Sequence, residues 1–137
     1  MKIHHLDSSL VIPYINARLG KRARDAESAK KNKRAWEFMS NCQAPYRISA
    51  ATYAEVMRGN YDDEDAIAIL REMKTPLELG QRIARRWALL QRRAAREMGD
   101  NDAWNAALAI AENATLVGSD HAFEPENQVC VQNFRRG

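Results

Sequence analysis

The stretch MGDNDAWNAALAIAENATLVGSDHAFE, from Met98 to Glu124, constrains the fold more than any other part of the chain. Asn101 to Asn113 is alanine-rich and spaced as a helix, and Ala114 to Val117 is a short apolar run of strand type. Acids stand at both junctions. Asp100 and Asp102 open the helix, and Asp120 follows the strand. A helix feeding a short buried strand is half of a parallel α/β unit.

The rest of the chain repeats this alternation. Lys2 to Leu6 reads as a first strand that ends at Asp7. Ser8 or Ser9 is the expected cap of a helix through Val11, Ile12 and Tyr14, with Pro13 in its first turn and Gly20 at its end. Ala26 to Cys42 is helical in spacing, and Pro45 breaks it. Tyr46 to Ser49 is a short second strand. Thr52 to Met57 begins a helix that Gly59 is expected to stop, and Asp62 to Lys74 is amphipathic. Pro76 to Leu79 is a candidate strand. Gly80 to Met98 carries Ile83, Trp87, Leu90, Ala94 and Met98 as one apolar stripe, with Gly99 expected as a left-handed C-cap. Gln128 to Val131 is the last strand. The pattern predicts one α/β domain over residues 1–137, with a mostly parallel sheet of four to five short strands and helices on both faces. Functional groups in such sheets gather beyond the carboxyl ends of the strands. Asp7 and Asp120 both belong at that edge.

Composition narrows the class. The chain has 137 residues, 45% hydrophobic and 28% charged, as a single soluble domain does. No apolar run approaches the roughly 20 residues of a membrane helix, and MKIHHLDSS lacks a secretory h-region. Cys42 and Cys130 form no metal-type spacing and read as buried thiols of a reducing, cytoplasmic compartment, although a disulfide between them stays open. Net charge is only +3, but the positive residues cluster. Arg18 to Arg34 is one basic stretch. Arg82, Arg85, Arg86, Arg92, Arg93 and Arg96 form another, opposite the apolar stripe. Such clusters suit a phosphate-bearing partner, although either one alone is better read as a solvated face.

The acids carry the chemistry. Asp7, Glu55, Asp102 and Asp120 each have an ordinary explanation: an Asx turn at Asp7, a Thr52–Glu55 capping box or a Glu55–Arg58 pair, a helix-dipole contact at Asp102, and a turn cap at Asp120. Taken together they point elsewhere. Carboxylates converging at one edge repel, by about 4 kcal/mol for a pair about 4 Å apart near a protein surface. A divalent cation relieves that repulsion. Oxygen donors without clustered His or Cys favour Mg²⁺ or Mn²⁺ over zinc. His4 and His5 alternate across a strand and cannot share a metal, and His121 beside Asp120 has no settled direction.

At these residues the chain resembles the PIN-domain nucleases, specifically the VapC-type toxins of VapBC toxin–antitoxin systems. LDSSLVIPYI is similar to the family's opening strand, metal-binding acid and hydroxyl-bearing turn; SAATYAEVMRG is similar to its second motif, with Glu55 as the glutamate. NDAWNAALAIAENATLVGSDHAF is similar to the third and fourth motifs, with acids at Asp102 and Asp120. The resemblance covers nearly the whole chain. It implies a three-layer α/β/α sandwich and an endoribonuclease using Mg²⁺ or Mn²⁺. It also implies a cognate antitoxin that blocks the acidic groove, and often a homodimer. Asp7 and Asp120 are then the principal metal ligands, with Glu55 and Asp102 completing the site. Ser8, Ser9, Ser119 and Asp100 are supporting candidates, and the arginines of Gly80 to Met98 and the basic stretch before Trp36 are candidate RNA clamps. The choice of Asp102 over Asp100 rests on the resemblance.

Two positions depart from the family pattern. Gly118 stands where Thr or Ser is common, two residues before the final aspartate, so Ser119 is the alternative hydroxyl. Asn105 replaces a usually apolar residue and is either a polar neighbour of the site or exposed. Trp36 and Trp87 lie on apolar stripes and are expected in the core, with Trp104 undecided. Competing readings are a PIN-like binder of RNA or a partner without turnover, a receiver-type phosphoacceptor, and a basic DNA-binding module. The receiver chemistry needs a lysine after a late strand, and no lysine follows Lys74.

Overall fold

The structure, a computed structural model, describes residues 2–93, 99–118 and 130–133. Among them the chain runs β1 (His4–Leu6), α1 (Ser8–Arg18), α2 (Ala26–Asn41), β2 (Tyr46–Arg47), α3 (Ala50–Asn60), α4 (Glu64–Glu72), α5 (Gln81–Arg93), α6 (Asp100–Ala111), β3 (Thr115–Gly118) and β4 (Cys130–Asn133). The strands form one sheet in the order β2-β1-β3-β4, and every pairing is parallel. The expected α/β architecture is therefore present.

Alternation along β3 explains the layers. Leu116 and Val117 are adjacent and must face opposite sides of the sheet. Val117 packs with Leu6, Leu10, Ile15, Ile48 and Leu70, under α1 to α4. Leu116 packs with Ile83, Leu90, Ala103 and Ala107, under α5 and α6. Register agrees, because Leu6 pairs with Val117 and His5 with Leu116. Small alanines on α6 let that helix lie close to the sheet.

Several boundaries differ from expectation, each for a local reason. Asp7, not Ser8 or Ser9, caps α1, its side chain accepting from Ser9 N. Ser8 thus becomes helical and Pro13 lies inside α1 rather than in its first turn. Gly20 does end this segment, at φ 63°, with Lys21 N donating to Asn16 O and Gly20 N to Ala17 O as in a Schellman motif. Ser49 caps α3 and accepts from Thr52 N, so the Thr52–Glu55 capping box is not formed. Gly59 lies within α3 and does not stop it. Pro76 to Leu79 is no strand of the sheet; Leu77 makes one isolated bridge to Ser49. Gly99 has φ −58° and is the N-cap of α6, not a left-handed C-cap. The expected helix end at Met98 lies outside the described residues, as do Ala94 and Arg96. Trp36 is 44% exposed on α2, a correction to its expected core position, because α2 turns only Ala35 and Met39 fully inward. Trp87 is half-buried and stacks on Trp104, with ring centroids 5.5 Å apart. Cys42 is a free thiol, and half-buried rather than buried. No helix among the described residues is long and apolar enough to cross a membrane.

Candidate active site

Three elements deliver the acids. β1 ends on Leu6, so Asp7 emerges at the carboxyl edge of the sheet, its N–H held 2.9 Å from Val117 O. α3 leaves the same edge after β2 and places Glu55 one turn past its cap. α6 precedes β3 and starts at this edge too, which puts Asp100 and Asp102 in its first turn. Asp7, Glu55, Asp100 and Asp102 line one open cavity of about 820 Å³, with Ser8 and Ser9 on its wall. Glu55 makes neither a capping hydrogen bond nor a pair with Arg58 among the described residues. Its ordinary explanations are thus removed and its place on the cavity is not. Asp120 and Ser119 lie outside the described residues.

Asp7 is only 2% exposed, and its carboxylate is anchored on both oxygens. Oδ2 accepts from Ser9 N at 3.1 Å and from Ser9 Oγ at 2.6 Å. Oδ1 accepts from Asn105 Nδ2 at 3.0 Å. Asn105, itself 3% exposed, also donates from Nδ2 to Thr52 Oγ1 at 3.1 Å and accepts at Oδ1 from Ser49 Oγ. Thr52 Oγ1 donates to Leu6 O at 3.2 Å. Asn105 is therefore the polar neighbour of the site rather than an exposed residue. It ties β1, α3 and α6 together beneath Asp7. Sequence reasoning picks out Thr52 only as a helix cap and misses Ser49 as a partner of the site. The available signal was a polar residue on an otherwise apolar face of α6, which has to find partners when buried.

Gly118 belongs to the same arrangement. A Cβ there would sit 3.0 Å from both Asp7 Cβ and Ser9 Oγ. Ser9 Oγ fills the space that a side chain at 118 would take, and the hydroxyl beside Asp7 comes from Ser9. At Gly99 a Cβ would meet Asp102 Oδ2 at 3.2 Å, so the Asp102 carboxylate folds back over the start of its own helix.

Among the described residues the donor set is all oxygen, and no His or Cys lines the cavity. That chemistry fits a hard divalent ion. Among the described residues, no three of His, Cys, Asp and Glu are grouped closely enough to hold one as they stand. Asp7 supplies the best-anchored oxygen. The cavity is also basic on one side: Lys21, Arg22, Arg24 and Lys31, from the start of α2 and the turn before it, share its lining. Lys21 pairs with Asp63 at 2.9 Å and holds that carboxyl below its ordinary range. Arg82, Arg85 and Arg86 line a different cavity on α5, so these three arginines of the second basic cluster are apart from the cavity that the acids line.

No family model and no curated protein matches the chain by sequence. Solved structures do match it. A VapBC2 complex from Rickettsia felis bound to a promoter DNA fragment aligns with 96% of this chain and 98% of its own at TM-score 0.69 and 19% identity. A toxin–antitoxin complex from Klebsiella pneumoniae aligns with 96% and 97% at TM-score 0.71 and 17% identity. VapC20 of Mycobacterium tuberculosis, a sarcin–ricin loop cleaving toxin, aligns with 95% and 99% at TM-score 0.68 and 16% identity. Over nearly its whole length the chain has the fold of these structures, a three-layer α/β/α arrangement.

Proposed function

We propose that this chain is an endoribonuclease toxin that cuts RNA phosphodiester bonds by activated-water attack with Mg²⁺ or Mn²⁺, and is held in check by a cognate antitoxin. The observation that carries the reading is the meeting of Asp7, Glu55 and Asp102, remote in sequence, on one cavity with a basic flank. Asp7 and Asp120 are the proposed principal ligands, with Glu55 and Asp102 completing the site. A bound divalent ion lowers the pKa of water and offsets charge building on the phosphate. The chain's own residues do the rest. Glu55 and Asp102 accept hydrogen bonds from water at the cavity wall, and Arg22, Arg24 and Lys31 orient the phosphodiester. Ser9 serves as a support of Asp7, its hydroxyl donating to Oδ2, and no covalent nucleophile is called for. The proposed antitoxin inserts a basic side chain among the acids, a guanidinium standing in for the ion's charge. The proposed assembly is a homodimer, working in the cytoplasm.

Binding of RNA or a partner without turnover is the second reading, favoured by the absence of a ready trio of ligands among the described residues. Expression of wild type and Asp7→Asn, with end-mapping of cellular RNA, separates the two. Growth arrest and discrete cuts from the wild type alone support the nuclease. Cleavage undiminished in Asp7→Asn, or no cleavage by the wild-type protein with either ion, overturns it.

A further inference from the structure

The amide of Asn105 has only one possible sense. Thr52 Oγ1 donates its proton to Leu6 O and can only accept from Asn105. Ser49 Oγ accepts from Thr52 N and has its own proton left for Asn105 Oδ1. The NH₂ group of Asn105 must therefore face Thr52 and Asp7, and its oxygen must face Ser49. A turned-over amide would set an oxygen against the Asp7 carboxylate and leave the Ser49 proton without an acceptor.

The same count of donors and acceptors applies to Asp7. A carboxylate offers about four lone-pair sites. Ser9 takes both on Oδ2 through N and Oγ, and Asn105 takes one on Oδ1. Among the described residues one site remains, on Oδ1. We infer that Asn105 is a positioning residue: Ser9 fills Oδ2 and so excludes bidentate binding, while Asn105 fixes Oδ1 and aims its one remaining site at the cavity, where a cation would be held. Asn105 does this from a position where the resembled family usually carries an apolar side chain. The inference rests on the metal-dependent reading of the site.

Mn²⁺ binding, measured by calorimetry and by the spin-resonance signal of free ion, tests it without requiring RNA. The wild type is titrated first; failure to bind Mn²⁺ or Mg²⁺ there defeats the metal-dependent reading itself. With wild-type binding in hand, Asn105→Leu, which restores an apolar side chain, is expected to weaken Mn²⁺ affinity by about 10- to 100-fold, the usual cost of losing a hydrogen bond behind a metal ligand. Thr52→Val keeps the shape and the Ser49 cap but frees the amide to turn, and is expected to shift affinity the same way by less. It supplies the answer if Asn105→Leu does not fold. Ile69→Ala, a core cut under α4, is the control for lost stability and is expected to bind Mn²⁺ as the wild type does. Wild-type affinity in folded Asn105→Leu or, failing that variant, in Thr52→Val overturns the inference, as does equal weakening in Ile69→Ala.

Discussion

Asp7 shows how one side chain serves fold and site together. It caps α1 through Ser9 N, and it is the most buried of the acids on the cavity. Its Asx-turn reading is right, and the same side chain lines the cavity with the other acids. Gly118 is the counterpart on β3, where the backbone passes too close to Asp7 and Ser9 for a side chain. Gly118→Ala is expected to destabilise by about 1–3 kcal/mol through overpacking. Adding Ser9→Ala should recover part of that loss, because it removes one of the two close atoms. Urea unfolding of the two single variants and the double gives the coupling, and strict additivity would contradict the crowding at Ser9. Asn105 was legible in the sequence only as an anomaly. Its role depends on Ser49 and Thr52, more than 50 positions away, and no local pattern reports such partners.

At the scale of elements, helix periodicity was readable and helix ends were not. The α5 stripe behaves as the spacing requires, with Ile83 and Leu90 buried and Trp87 against Trp104. Ends depend on which side chain reaches a free N–H. Two adjacent serines after Asp7 offered the wrong cap, and Thr52 competed with Ser49 for the next one. The basic clusters illustrate the same limit, since composition ranked them equally while the fold separates them. The turn before α2 brings Arg22 and Arg24 to the acid cavity, whereas α5 carries Arg82, Arg85 and Arg86 to another one. RNA binding by the Asp7→Asn protein should therefore respond unequally. Replacing Arg22, Arg24 and Lys31 with Ala should flatten the salt dependence of single-strand affinity, by about 0.7 in logarithmic slope for each phosphate no longer neutralised. The matching α5 triple variant should change it less. Fluorescence anisotropy across a salt series measures both, and a larger change from the α5 variant would reverse the assignment.

The whole molecule was the most legible level. Short apolar runs alternating with amphipathic helices have few ways to bury both faces, and the parallel sheet follows from that. Parallel pairing also decides where α6 begins, which the residue pattern alone leaves open for Asp102. A helix that returns to feed β3 must start at the carboxyl edge. The opposite end of the sheet holds a different charge problem. His5 is 3% exposed, and its Nε2 is 2.9 Å from Glu112 Oε1 but off the line of a hydrogen bond. Burial pushes its pKa below the usual 6.5, against a smaller upward pull from Glu112. In the window between the lowered folded value and 6.5 the unfolded chain binds the proton and the folded chain does not. Stability should thus fall as pH drops below 6.5, and His5→Gln should remove part of that fall. Thermal melts from pH 7.5 downward check the sign, and a wild type that gains stability on mild acidification would refute it.

One carboxylate that both starts a helix and faces the cavity shapes how copies of this gene can decay. A lineage released from selection for the proposed reaction would still need a short polar side chain at position 7 to begin α1, and asparagine meets that need where alanine does not. On the proposed function, silent descendants should acquire Asp7→Asn before any other change among the acids, keeping the fold after the reaction is lost.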